Sequence, residues 1–374
     1  MAELSPDVIV IGGGIHGISA ALHLAMTGCR VVALEKDHCG RHASGVNAGG
    51  VRTLARDPAE VPLSLAALDM WYAIGDLVGD DCGFECHGQI QIAETEADLV
   101  MLRSRVDGLR ASGYHHEEII DRRELAELLP AVSDTCVGAA IARRDGAAIP
   151  FRTVLAFQRR AKDFGVVFRE GEGVARLRRL ARDWEVTTSL GERLTAPTIV
   201  NCAGVWAGKI AQQVGDQAPV EATAPMMMVT LPIQRVMEPV VIGSSRPLSL
   251  KQLANGTVLI GGGQSGTPVP HENRTELDFS KLHRSCVTVS ELFPILRGLT
   301  VVRAWAGLEA RMSDGIPVIG AGSAEGVFHA FGFSAHGFQL GPIVGRIIAD
   351  LIVRQATDMP IRPFGIQRFA GCNA

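Results

Sequence analysis

No run in this 374-residue chain approaches the ~20 consecutive apolar residues that a membrane-spanning helix requires, although 47% of its residues are hydrophobic. The expected protein is membrane-peripheral at most. Met1 to Pro6 lacks the charged start and small-residue cleavage site of a signal peptide, so a cytoplasmic location is expected. Lys and Arg are nowhere gathered into a long tract and the formal net charge is -4, which leaves no footprint for nucleic acid. The eight cysteines (Cys29, Cys39, Cys82, Cys86, Cys136, Cys202, Cys286 and Cys372) include no C-x-x-C pair. That argues against a disulfide frame, a zinc ribbon or a ligated iron–sulfur cluster, and no metal site is expected. Internal repeats and low-complexity segments are also missing. The chain is nevertheless long enough for roughly two domains with proper cores, and a small molecule is the expected ligand.

Asp7 to Ile11 is a short apolar run rich in β-branched residues, Ile15 to Met26 has the length and content of a buried helix, and Arg30 to Glu35 is a second buried strand. Together they read as one βαβ unit, with Gly28 where the helix should stop. After about residue 80 charged helical segments follow, at Glu94 to Ser112 and Asp121 to Leu129, the second closed by Pro130. Thr153 to Phe164 reads as a helix, and Trp184 to Ser189 with Arg193 to Thr195 as a hairpin around Leu190 to Glu192. Thr198 to Gly204, an apolar strand running into small residues, reads as a return to the first sheet. Residues 218–305 read as extended segments of an antiparallel region, among them Thr257 to Ile260. Val327 to Phe331 is expected as a strand and Pro342 to Val353 as a helix. The expected fold class is α/β, a Rossmann-type domain beside a second domain on a mixed or antiparallel sheet. The first comprises residues 1–80, 146–217 and 306–374, and the second residues 81–145 and 218–305.

Gly12-Gly-Gly14-Ile-His-Gly17 follows the first strand, opens the helix, and is matched by the acidic Glu35 at the end of the second strand. Strand, glycines, helix and acid together form the dinucleotide fingerprint. Its glycines permit a tight turn, close approach of backbone N–H groups to a pyrophosphate, and close helix–strand contact; Glu35 is placed to accept ribose hydroxyls. A second G-x-G-x-x-G, Gly261 to Gly266, also follows a strand. The two prolines that come next, Pro268 and Pro270, prevent a helix there, so it reads as a turn.

The order of four segments resembles the glycine oxidase, sarcosine oxidase and D-amino-acid dehydrogenase family of flavoproteins. They are Asp7 to Glu35, Ala43 to Gly50, Asn201 to Ala207, and Gly307 to Gly320. The last of these, with Phe333 to Gly341, is most similar to the flavoprotein (beta) subunit of opine or D-hydroxyproline dehydrogenases. The resemblance implies FAD as cofactor. It places around FAD the fingerprint residues Gly12, Gly14, Ile15, His16 and Gly17, with Glu35, Lys36, His42, Ala43, Ser44, Asn47, Ala48 and Gly49. Val174, Cys202, Ala203 and Gly204 would meet the adenine half, and Gly307, Gly337, Phe338, Gln339 and Leu340 the flavin. Backbone N–H groups before the last helix would favour negative charge on the reduced ring. Where monomeric sarcosine oxidases attach the flavin through a cysteine, this chain has Gly307, which implies non-covalent FAD. Where those enzymes place an oxygen-activating lysine, it has Leu259, which points to a dehydrogenase with another acceptor.

The function implied is hydride transfer from a carbon bearing nitrogen in a small amino acid or secondary amine (an opine, D-hydroxyproline or another D-amino acid), giving an imine that hydrolyses. Partner subunits carrying FAD, FMN or iron–sulfur centres are implied as well. Arg52 is the candidate for the substrate carboxylate. Arg311 is either a second anchor or a structural ion-pair partner, Glu309 would orient Arg311 or the amine, and His336 is either a residue over the flavin or a structural histidine. Met226 to Met228 reads as core or as a patch bordering substrate or a partner. Two other readings stand beside this one: an oxygen-using oxidase, and a non-catalytic flavin-binding assembly subunit.

Overall fold

The computed structural model describes residues 5–370, so Cys372 and the first four residues lie outside the description. The opening βαβ unit forms where the apolar pattern puts it: strand Val8–Ile11, helix Ile15–Met26, parallel strand Val31–Glu35. Gly28 turns the chain off the helix at a φ of +91°. Val8–Ile11 is central in a six-stranded sheet. On one side come Val31–Glu35 and Val167–Glu170; on the other, Thr198–Asn201, Val327–Phe331 and Val318–Ala321. Every pairing is parallel except the last. Thr198 to Gly204 thus does return to the first sheet.

A parallel sheet is stable only when both faces are covered, and alternate residues of the first strand show how. Val8 and Val10 face a core shared with helices Ile15–Met26, Pro150–Asp163 and Gly337–Val353. Ile9 and Ile11 face a second core closed by a three-stranded antiparallel sheet, Val174–Arg179, Trp184–Thr188 and Arg193–Ala196. The last two strands are the expected hairpin. The helix expected from Thr153 starts at Pro150, whose fixed φ and missing N–H suit a first helical position.

The last helix departs from expectation more. It begins at Gly337, five residues before Pro342, which it contains. A contact between helices outweighs the proline: a Cβ on Gly341 would lie 2.6 Å from Ile15 Cγ1, and one on Gly345 would lie 2.1 Å from Ser19 Oγ. The small residues let the first and last helices touch along their backbones.

The second sheet has eight strands and is mixed. Its one parallel pair joins Val240–Gly243 to Gln89–Ala93, and its other pairings are antiparallel. Ile90, Ile92, Val241, Leu250 and Ile260 point from one face into a core shared with helix Phe279–Leu292. That helix falls in the region 218–305, where the sequence reading named extended segments and no helix. Its buried Leu282, Val289 and Leu292 recur at helical spacing, and Asp278 caps it through the N–H groups of Ser280 and Lys281. The two charged helices form as Glu96–Ala111, under a capping box from Thr95 and Asp98, and Arg122–Leu128, capped by Asp121.

Candidate functional site

The glycine-rich loop has room for nothing larger than glycine at two positions. Gly12 has a φ of +112°, and a Cβ on it would lie 2.4 Å from the Cys202 carbonyl oxygen; a Cβ on Gly17 would lie 1.9 Å from the Gly12 oxygen. No side chain caps the helix from its N-cap position. Instead the Ile15 N–H donates to Ser44 Oγ at 2.9 Å, and the Gly13 N–H donates to Glu35 Oε2 at 2.7 Å. Glu35 also accepts from the Asp37 N–H at 2.9 Å. Burial holds its carboxyl above the ordinary range. The acid at the strand end thus shapes the loop, and its remaining lone pairs face a cavity.

That cavity measures about 1030 Å³ and runs between the two sheets. Every residue nominated from the sequence lines it except Gly17, Gln339 and Leu340. Those three do not line it. Gly17 serves helix–strand contact. Gln339 is fully buried, with its amide donating to the Ser64 carbonyl and its oxygen accepting from Arg56, and the Leu340 side chain lies in the core.

At the fingerprint end, Lys36 Nζ sits 3.4 Å above the Trp206 ring and donates to Asn273 Oδ1. His16 stacks on Phe333 at 3.5 Å. Burial pulls the His16 pKa down to about 3 and that of His42 to about 4, so both rings are neutral. His16 Nδ1 and His42 Nε2 are buried without a hydrogen-bond partner, and a polar ligand in the cavity is what would supply one. Ala43–Val46 makes one helical turn, tied by Asn47, which donates to the Ala43 and Ser44 carbonyls and accepts from the Gly49 N–H. Beside it, a Cβ on Gly307 would lie 2.4 Å from Val46 Cγ2, so a side chain there would have to displace Val46.

At the other end Arg52 is partly buried and donates through Nη1 to the Leu54 carbonyl at 2.7 Å. His336 contacts Glu60 at 3.2 Å, and burial lowers its pKa to about 4. Glu309 accepts from the Ala335 N–H at 2.6 Å and is not paired with Arg311, which is exposed. Burial raises the Glu309 pKa to about 7. The second glycine motif is a turn: Gly262 and Gly263 have φ of +87° and +83°, and a strand, Thr267–Val269, follows instead of a helix. Of the three methionines, Met227 lines the cavity while Met226 and Met228 face the core, as alternation along a strand requires.

Sequence reasoning missed two cations. Arg56, 1% exposed, donates to the carbonyls of Arg52 and His336 and to Gln339 Oε1. Its spacing of four from both Arg52 and Glu60 was the available signal. Lys251 stands on strand Ser249–Gln252 directly opposite Leu259 and lines the cavity. A site with no lysine near Leu259 is therefore not what the fold builds; the neighbouring strand of the same hairpin, turned at Asn255 and Gly256, provides one.

A profile of the family described as FAD dependent oxidoreductase matches residues 7–351. The chain belongs to this family. The glycine oxidase of Geobacillus kaustophilus is 25% identical over 98% of this chain and 97% of its own length. One of the subunits of the opine oxidase of Rhizobium meliloti is 24% identical over 97% of each chain. Among solved structures, the L-proline dehydrogenase of P. horikoshii superposes with a TM-score of 0.91 at 25% identity, covering 98% of each chain. FAD fits what this FAD-dependent oxidoreductase presents: a fingerprint loop opening a helix that no N-cap side chain covers, two unpartnered buried histidine nitrogens, and one long cavity joining them to Arg52 and Glu309. Glu35, Ser44 and the 202–204 loop would hold the nucleotide half; Gly307 and the backbone at Gly337 would border the ring.

Proposed function

We propose that the protein oxidises the C–N bond of a small amino acid or secondary amine. The observation that carries this is the continuous cavity between the two sheets, whose far end presents a cation, Arg52, and a carboxyl, Glu309, the complement of a zwitterion. FAD, when bound, supplies the two-electron acceptor for the hydride that leaves the carbon bearing nitrogen. Arg52 holds the substrate carboxylate, with its guanidinium oriented by the Leu54 carbonyl. Glu309, with a pKa of about 7, takes the ammonium proton, because only the neutral amine can release hydride. His336, neutral and fixed by Glu60, adds no competing charge. The resulting imine is hydrolysed by water. Residues 1–80, 146–217 and 306–374 form the FAD-binding domain in this reading, and 81–145 with 218–305 the substrate domain.

The test is anaerobic mixing with a panel of amino acids and secondary amines. Loss of the flavin's visible absorbance with some of them, and not with their nitrogen-free acids, is the expected result; no bleaching by any amine sinks the reading. A heteromeric dehydrogenase is the companion proposal, supported by the likeness to one chain of an opine oxidase. Co-purification of further flavin- or iron–sulfur-bearing chains would support it, and peroxide formed as fast as dye is reduced would favour an oxidase instead.

A further inference from the structure

The face of the eight-stranded sheet that looks into the cavity is nearly devoid of charge. Its lining residues include Gln89, Met227, Val240, Ile242, Ser249 and Lys251. Lys251 is the one ionisable group among the residues these strands contribute to the lining. It is 7% exposed, and no side-chain hydrogen bond or ion pair engages its ammonium among the described residues. Burial lowers its pKa to about 8. A buried cation without a partner is costly, and this one is held by a sheet whose opposite face is a packed core.

The other charged groups around the cavity sort into engaged and free. Lys36 is held by Asn273 and Trp206, Arg56 by three acceptors, and Glu35 by two N–H groups. Setting aside Arg41, Lys209 and Arg311, which are exposed to solvent, Arg52, Lys251 and Glu309 remain with capacity to spare, two cations and one carboxyl. A ligand complementary to that set has two anionic groups and one amine.

We propose that Lys251 anchors a second carboxylate, so that the preferred substrate is an amine flanked by two carboxylates, with Arg52 and Lys251 holding its two ends. This rests on the amine-oxidation reading and narrows it. Arg311, being exposed at the rim, is not needed for either end.

Binding can be read without turnover. The FAD-loaded protein is titrated with the unreactive diacids glutarate, adipate and pimelate and with the monoacid hexanoate, by thermal shift and flavin absorbance perturbation. At least one diacid should bind roughly tenfold or more tighter than the monoacid, the scale of one charge-assisted pair in a desolvated site. Lys251→Met should erase that preference, Lys251→Arg should keep most of it, and Arg52→Met should weaken both classes. Equal binding of mono- and diacids by the unaltered protein overturns the proposal before any variant is made, and so does a diacid preference that survives Lys251→Met. Turnover separates the two levels. Iminodiacetate should bleach the flavin faster than sarcosine, which differs by one carboxylate; if sarcosine is as fast, Lys251 has no such role and amine oxidation stands. If neither these nor any other amine bleaches it, amine oxidation itself fails.

Discussion

Arg52 donates one of its five N–H bonds to Leu54, and no other side-chain hydrogen bond engages it among the described residues, so four are free for the proposed carboxylate. A planar guanidinium binds a carboxylate through two parallel hydrogen bonds, which a lysine cannot copy. Arg52→Met should therefore leave FAD content and folding nearly intact. Loss of such a pair costs on the order of 2–5 kcal/mol, so kcat/KM for an amino acid should fall roughly 30-fold to several thousand-fold at ~1.4 kcal/mol per decade. A decarboxylated amine should be much less affected, and unchanged efficiency on the amino acid would move the anchor elsewhere. Glu309 makes a second prediction. With a pKa of about 7 it is a competent base only above that pH, so the limiting rate of flavin bleaching at saturating substrate should rise with pH up to about 7 and then level. Glu309→Gln should abolish that limb; a profile identical to the parent's would remove Glu309 from the chemistry. The same shift has a stability consequence of opposite slope. The folded state retains a proton on Glu309 that the unfolded chain gives up near pH 4.5, so this group's contribution is present at low pH and is lost as pH rises through about 7.

Helices and strands with local signals were legible: Ile15–Met26 ends at both predicted residues, and Val327–Phe331 likewise. The start of Gly337–Val353 was not, because it is set by the first helix rather than by its own proline. Arg56 escaped for a related reason: its role depends on which loop meets the last helix, and a contact across hundreds of residues leaves no local trace. Lys251 did have a local signal, since it faces Leu259 across a short hairpin turned at Asn255 and Gly256, a turn the sequence reading did not use. The fingerprint end of the site was legible because its turn, helix end and acid lie within thirty residues of one another. The helix contact itself makes a prediction. Replacing Gly345 with Val would drive a side chain into Ser19, its backbone included. The loss should lie at or beyond the upper end of the ~1–3 kcal/mol typical of overpacking. Thermal unfolding and flavin occupancy should fall together, whereas a Val variant with the parent's melting temperature would show the helices free to separate.

Across the whole molecule, the cavity is lined by segments from both ends of the chain and its middle, and Gly307 on its wall offers no thiol for a covalent attachment. Acid or heat precipitation should leave all the FAD in the supernatant, and flavin fluorescence that migrates with the denatured polypeptide on a gel would refute non-covalent binding. The six-stranded sheet has a further consequence, for the order of events during synthesis. Its central strand, residues 8–11, is made first, yet its neighbour at 198–201 emerges much later, and the strand at 327–331 and the helix that grips Ile15 and Ser19 come last of all. A ribosome making this protein therefore holds out a nucleotide-binding loop without its support until residues 327–353 have been added. FAD capture should therefore wait until residue 353 has been made, and the apolar strand 8–11 is what a chaperone would have to shield in the interval.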